Sequence, residues 1–276
     1  MKKSKIILSY LFGFLTSVSI SLFVLLLIIK FTVYDKSYIT NLLIKNDYYT
    51  KVSTEIKEEM EGNTLSTGFT DVILENLFTE EEVVDDINTF INNTYDGKKT
   101  ELNKDNIKTN LENNINAFLK KSNLKILNQD DVNKFANDLV DIYKNEICLY
   151  GFLDNYISTF AKIGRIINTL LIIFSIAIFI LLILLKVVNS HYISSSLIAS
   201  GLIILFVRIF VYEKIDINGL LIITELFSNI LRLILTILGK MLLSIGIGLI
   251  IVGVILLCQM IVIDKIKACK LLKRKS

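Results

Sequence analysis

The sequence has no proline, no tryptophan, one histidine and three cysteines among its 276 residues. Each shortage removes a reading. Without proline, no residue forces a break inside a helix, so long helices can form wherever the apolar pattern allows. Without tryptophan, tyrosine is left to line any membrane–water interface. One histidine and scattered cysteines argue against a zinc site built on those ligands. The P-loop, G-x-S-x-G, H-E-x-x-H and C-x-x-C patterns are missing as well. No cofactor, metal, catalytic residue or nucleic-acid partner is therefore expected. The scarcity of proline and tryptophan beside abundant Ile, Lys and Asn fits an AT-rich genome, such as that of a low-GC bacterium.

Charge is also missing, but only locally. The chain is 53% hydrophobic, with mean hydropathy +0.57, too apolar for an ordinary soluble domain. Residues 6–29, 166–185 and 241–263 carry no charge over 24, 20 and 23 positions, and 193–207 none over 15. About 20 apolar residues are needed to cross a bilayer core of roughly 30 Å. All four runs are read as transmembrane helices. The first opens with MKKSK, as a signal peptide would. Its apolar core is longer than an h-region and no A-x-A-like site follows, so a retained signal anchor is expected.

The remaining charge sets an orientation. Residues 35–160 hold 23 acidic and 13 basic residues, a net of −10. The rest of the chain holds 4 acidic and 17 basic, a net of +13. Basic residues stay in the cytoplasm. Both termini are thus expected inside and the segment between the first two spans outside. Tyr34, Tyr38, Tyr156 and Tyr212 fall near the outer interface so defined, and Tyr192 near the inner one.

The expected fold is an all-α integral membrane protein with four transmembrane helices and an extracytoplasmic helical-bundle domain inserted between the first and second. The order is a cytoplasmic N-terminus (1–5), span 1 (6–33), the helical domain (34–160), span 2 (161–187), a cytoplasmic turn (188–192), span 3 (193–212), an outer loop with an interfacial helix (213–240), span 4 (241–263) and a basic cytoplasmic tail (264–276). Residues 220–239 resemble a fifth span, but Glu225 and Arg232 would each cost about 2.5–3.5 kcal/mol at mid-membrane. An interfacial helix, or an outward extension of span 4, fits better.

Within the inserted domain, helical periodicity runs from Ser37 to Glu61 through Ile39, Leu42, Leu43, Tyr49, Val52, Ile56 and Met60. This first helix is expected to continue out of span 1. Thr79 and Glu82 make a capping-box pattern that opens a helix ending at Gly97. A third helix covers about Lys104 to Lys121, and a fourth begins near Asn128. About 125 residues suffice to bury a core.

Several residues invite functional readings. His191 stands beside Ser194, Ser195 and Ser196, but a catalytic histidine needs an orienting partner and a pocket; it is read as a solvated turn residue. Ser195/Ala199, Ser196/Ser200 and Ser244/Gly248 have the small-xxx-small spacing that lets helices approach closely in lipid. Glu80, Glu81, Glu82, Asp85 and Asp86 are a candidate interaction surface for a basic partner or cation, weighed against a solvated helix start favoured by the macrodipole. Lys265, Lys267, Lys270, Lys273, Arg274 and Lys275 are candidate contacts with membrane lipid, worth about 1 kcal/mol each against an anionic surface. Cys148, Cys258 and Cys269 fall in three compartments, so no internal disulfide is expected.

These features point to a non-enzymatic envelope protein whose acidic outer domain binds a membrane or envelope protein partner. The layout also resembles, in topology only, the FtsX- and MacB-like transmembrane subunits that work with a cytoplasmic ATPase. It departs from them in its five-residue N-terminus and short inner turn. A membrane enzyme acting on lipid or wall precursors is a third reading, though no carboxylate stands out from 23.

Overall fold

The computed structural model describes residues 2–67, 71–122, 128–148, 156–188, 191–214, 219 and 225–273, and the backbone alone at 2–4, 66, 67, 71, 148 and 267–273. In chain order the helices are α1 (Lys2–Thr32), α2 (Lys36–Lys45), α3 (Tyr48–Thr67), a 3-10 turn (Asp71–Leu74), α4 (Glu80–Asp96), α5 (Asp105–Lys121), α6 (Gln129–Cys148), α7 (Ile157–Val188), α8 (His191–Lys214) and α9 (Glu225–Lys273). No strand occurs among the described residues. The described residues make an all-helical structure, in which α1, α7, α8 and α9 are long and apolar enough to cross a membrane.

Two compact units form. The first contains residues 1–34, 164–221 and 228–276. Its apolar side chains lie largely outward. Ile172, Ile173, Ile176, Phe179 and Ile180 on α7 are all more than half exposed. Such a face would be an aggregation liability in water and suits hydrocarbon. Inside, Ile28, Ile204 and Leu242 make a small core from α1, α8 and α9, with Val24, Leu25 and Ile245 around it.

The second unit contains residues 35–163 and 222–227. Here burial follows the usual soluble pattern. Val52, Ile56 and Met60 of α3, Val83 and Ile87 of α4, Ile107, Leu111 and Ile115 of α5, and Leu139 of α6 are almost fully buried. Their three- and four-residue spacing puts one stripe of each helix inward. Each such side chain contributes about 1.5–3 kcal/mol. Ile73, from the 3-10 turn, joins Ile115, Leu119 and Val132 in one cluster, flanked by Phe118 and Phe135. Asn114 fastens that turn to α5, its amide donating to the carbonyls of Ile73 (3.0 Å) and Glu75 (3.1 Å).

Local rules account for several boundaries. At α4, Thr79 accepts from the Glu82 amide while Glu82 accepts from the Thr79 amide, completing the capping box, and Gly97 closes the helix at φ +72°. The long first helix expected from Ser37 is instead two. Asp35 caps α2, whose last turn closes at Asn46, and Asp47 turns the chain at φ +52° before α3. Aspartate tolerates that left-handed geometry better than most residues. The segment is therefore not a continuation of α1.

Residues 225–273 differ from expectation in a useful way. No turn occurs at Gly239 and Lys240; α9 is one helix of 49 residues. Of the two arrangements weighed from sequence, an extension of the last span matches this continuity, and a separate interfacial helix does not.

Candidate functional site

In the apolar unit, small residues bring backbones together along two seams. Between α1 and α8, the Ser196 hydroxyl donates to the Gly13 carbonyl (2.9 Å) and the Ser200 hydroxyl to that of Ser17 (3.1 Å). The Ser21 hydroxyl donates to the Ser200 carbonyl (3.3 Å). The two helices run parallel, in register at Gly13/Ser196 and Ser17/Ser200. Each serine also donates to its own helix, as at Ser200 to Ser196 (2.6 Å), so no hydroxyl is left without an acceptor in a lipid-like interior.

Between α8 and α9 the seam is antiparallel and repeats every seven residues. Gly246 faces Gly201, and Gly253 faces Ser194; a Cβ on Gly201 would stand 2.5 Å from the Gly246 carbonyl oxygen, and one on Gly253 2.9 Å from that of Ser194. One repeat further, Arg208 donates from Nε to the Gly239 carbonyl (3.2 Å), and the Tyr212 hydroxyl donates to the Leu235 carbonyl (2.6 Å). The Arg208 guanidinium lies 5.4 Å from the Tyr212 ring centre. The charge of Arg208, within the apolar helix α8, is thus tied to a backbone carbonyl and an aromatic face.

His191 is the first residue of α8, not a turn residue. Its Nε2 lies 2.8 Å from Asp264 Oδ2 of α9. This acid partner was not anticipated. The neighbouring hydroxyls do not complete a catalytic relay: Ser194 donates to the His191 carbonyl (2.8 Å), and Ser195 to the same oxygen at 3.5 Å. A shallow groove of about 590 Å3 runs past His191 and Tyr192 to Tyr10, Phe14 and Ser17. Tyr10 and Tyr192 meet edge to face at 5.1 Å.

In the helical unit, the five acidic residues singled out from sequence divide. Glu80 accepts from the Thr50 hydroxyl (2.5 Å), and Glu82 serves the cap. Asp86 is largely buried; it pairs with Lys104 Nζ (2.5 Å) and accepts from the Tyr143 hydroxyl (2.6 Å). Lys104 also lies over the Tyr143 ring, 5.2 Å from its centre. Glu80, Glu81 and Asp85 remain on the exposed side of α4. The surface is thus narrower than the sequence pattern implies. Of the six basic tail residues, Lys265 is exposed. Lys267, Lys270 and Lys273 are described only as backbone of α9, and Arg274 and Lys275 lie outside the described residues. So do the side chains of Cys148 and Cys269; Cys258 is a free, exposed thiol on α9.

A second acidic group lies where α3 packs on α6. Burial, with Glu55 and Glu59 close by and a side-chain hydrogen bond to Glu59, pushes the Glu146 carboxyl up to about 7. Burial and then Glu59, Glu58 and Glu225 raise Glu55 above the ordinary carboxylate range. Oε2 of Glu55 is sealed from solvent with no hydrogen-bond partner. Burial, Glu146 and Glu55 also raise the Tyr48 phenol. Helical periodicity had placed Ile56 and Met60 inward on α3, but it gave no sign that Glu55, Glu59 and Glu146 would meet across two helices separated by over 80 residues. Among the described residues no group of three or more His, Cys, Asp or Glu is placed to hold a metal ion.

Comparison with protein-family models, curated proteins and solved structures finds no match to this chain.

Proposed function

We propose that the chain is a non-enzymatic multi-pass membrane protein whose acidic helical unit stands on the extracytoplasmic side and binds a membrane or envelope protein partner, while the basic tail contacts anionic lipid. One observation carries the reading: the charge division coincides with the structural division. The −10 segment is the compact, conventionally buried helical unit, and the basic residues flank helices whose outward faces are apolar. Under the charge rule for membrane orientation, such a unit is exported and such flanks are retained.

Two further features support a binding and anchoring role. The seams between α1, α8 and α9 are held by glycine contacts and serine-to-carbonyl bonds, which suit a fixed anchor. Only residues 189 and 190 separate α7 from α8, leaving no helix there for a cytoplasmic ATPase to grip, so the transporter-subunit reading gains nothing. Glu80, Glu81 and Asp85, the exposed members of the acidic cluster on α4, are the first residues to test at a partner interface.

The experiment is crosslinking in living cells, followed by purification in mild detergent and mass spectrometry. The expected result is a reproducible membrane or envelope partner crosslinked through residues 35–163. Repeated recovery of the protein alone would overturn the binding role. Crosslinks from that unit to cytoplasmic proteins would overturn the orientation.

A further inference from the structure

At one end of the apolar unit, α1 and α7 run antiparallel with a groove of about 540 Å3 between them. Their register is fixed where the Tyr34 ring meets Gly164, so closely that a Cβ there would stand 2.9 Å from it. Leading away from that contact, Lys30, Leu27 and Phe23 line one wall and Asn168, Ile172 and Ile176 the other. Each turn of α1 is matched by a turn of α7, over about 10 Å at roughly 1.5 Å per residue.

The two ends of the groove differ in chemistry. Its mouth is polar. Lys30 is the first charge after the uncharged run 6–29, and Arg165 the last before the uncharged run 166–185, so the two mark the same membrane surface. Asn168 follows one turn after Arg165. Neither α1 nor α7 contains an acidic residue. Among the described residues the side chains of Lys30, Arg165 and Asn168 have no hydrogen-bond or ion-pair partner, although Lys30 is partly buried. Unpaired polar groups at the edge of hydrocarbon are costly. The rest of the groove is apolar, and Ile172 and Ile176 are more than half exposed on its rim.

We propose that this groove seats one anionic phospholipid: Lys30 and Arg165 hold its phosphate, the Asn168 amide donates to its ester oxygens, and an acyl chain lies along Leu27, Phe23, Ile172 and Ile176.

The gradient from charged to apolar selects this occupant. A guanidinium and an ammonium together suit a phosphate, and a carboxamide supplies two further donors. A soluble phosphate would satisfy the cations and leave the apolar walls uncovered. A zwitterionic lipid carries its own ammonium, which Lys30 and Arg165 repel. An anionic lipid matches both ends. The seat rests on the apolar unit lying in a bilayer, as proposed above, and it is separate from the basic tail. Tyr10 meets Tyr192 at 5.1 Å and His191 meets Asp264 at 2.8 Å, which puts the start of that tail at the opposite end of α1.

The chain has no tryptophan, so one introduced indole reports alone. Ile172→Trp places it in the groove. Phe179→Trp places it two turns further along α7, exposed and beyond the groove. Each full-length variant is reconstituted in phosphatidylcholine vesicles and titrated with acyl-brominated phosphatidylglycerol or acyl-brominated phosphatidylcholine, the bromines at one depth. In Ile172→Trp, half-quenching should need a severalfold smaller fraction of the anionic lipid than of the zwitterionic one. Phe179→Trp should show no preference. Adding K30Q or R165Q to Ile172→Trp should remove most of the preference; Ile176→Trp serves on the same wall if Ile172→Trp does not fold. Soluble glycerol phosphate should not compete, and if it does, the cations serve a free phosphate and the lipid occupant is overturned. Equal quenching by both lipids at the groove, the same preference at both positions, or a preference untouched by K30Q and R165Q would also overturn the seat. Failure of the wild type to float with vesicles would instead sink the membrane reading beneath it.

Discussion

Asp86 bears more of the helical unit's stability than its acidic neighbours. Its carboxylate neutralises Lys104, whose side chain is only 10% exposed, and accepts from Tyr143, which is fully buried. Asp86→Ala would strand a buried ammonium and a buried hydroxyl together. Removing one member of such an ion pair costs about 3–5 kcal/mol; because the Lys104 and Asp86 side chains keep 10% and 15% exposure, about 3 kcal/mol is expected. Glu81→Ala, on the exposed side of the same helix, should stay within about 0.5 kcal/mol. Thermal or denaturant unfolding of the two full-length variants side by side checks this, and equal effects would sink the assignment. The contrast also shows what could be read at this level beforehand. Thr79 and Glu82 announced their cap because the partners lie three residues apart. Asp86 gave no such sign, since Tyr143 is 57 positions away. Asp264 was a partial exception: it is the single acidic residue following Glu225, and matching its depth to that of His191 at the same membrane surface would have paired them.

Helix contacts raise a different question, that of how close two backbones can come. At the α8–α9 seam the answer depends on Gly201 and Gly246. Gly201→Val would drive a side chain into the Gly246 carbonyl and Ile250. Overpacking of this kind costs about 1–3 kcal/mol, so reduced thermal stability in detergent is expected. Gly248→Ala, where nothing lies within 4 Å of the added carbon, should be neutral or better. The same logic predicts that Gly62→Ala on α3 stabilises the helical unit by about 1 kcal/mol, since the added methyl meets open space and helix propensity improves. A destabilised Gly62→Ala would mean that this stretch of α3 is not a packed helix. The seam was half legible. Four-residue spacing correctly picked Ser196 and Ser200, which lie against α1, but it also picked Ser244, which is exposed. The glycines that matter, 239, 246 and 253, repeat every seven residues, the return of an antiparallel pair wound about each other, and a four-residue search passes over them. Capped helices such as α4 were legible to the residue. The α2–α3 break was not, because it rests on one left-handed aspartate inside an otherwise continuous apolar period.

Taken as a whole, the chain's division into a charged unit and an apolar one was readable from charge-free length and from the placement of lysine and arginine. What length alone left open was which part of α9 lies in the bilayer. A helix of 49 residues extends roughly 70 Å at about 1.5 Å per residue, more than twice a hydrocarbon core of about 30 Å. Charge decides between the halves. The first half carries Glu225, Lys240 and Arg232, the last bonded to Asn229 (3.2 Å), whereas 241–263 carries no charge. Placing Arg232 and Glu225 at mid-membrane would cost about 2.5–3.5 kcal/mol each, so residues 241–263 should be the span and the first half should project beyond it. Native Cys258 lies in that segment, exposed on the protein surface, and should therefore face lipid. In intact membranes a charged, impermeant maleimide should leave Cys258 unmodified until detergent is added. A cysteine at Asn229, in a variant whose native cysteines are serine, should react from the same side as one at Asn103 in the helical unit. Rapid labelling of Cys258 with protection at 229 would move the span to the first half of α9. Labelling of 229 and 103 from opposite sides would instead break the four-span topology, and with it the argument that the acidic unit and the basic tail lie on opposite sides of one membrane.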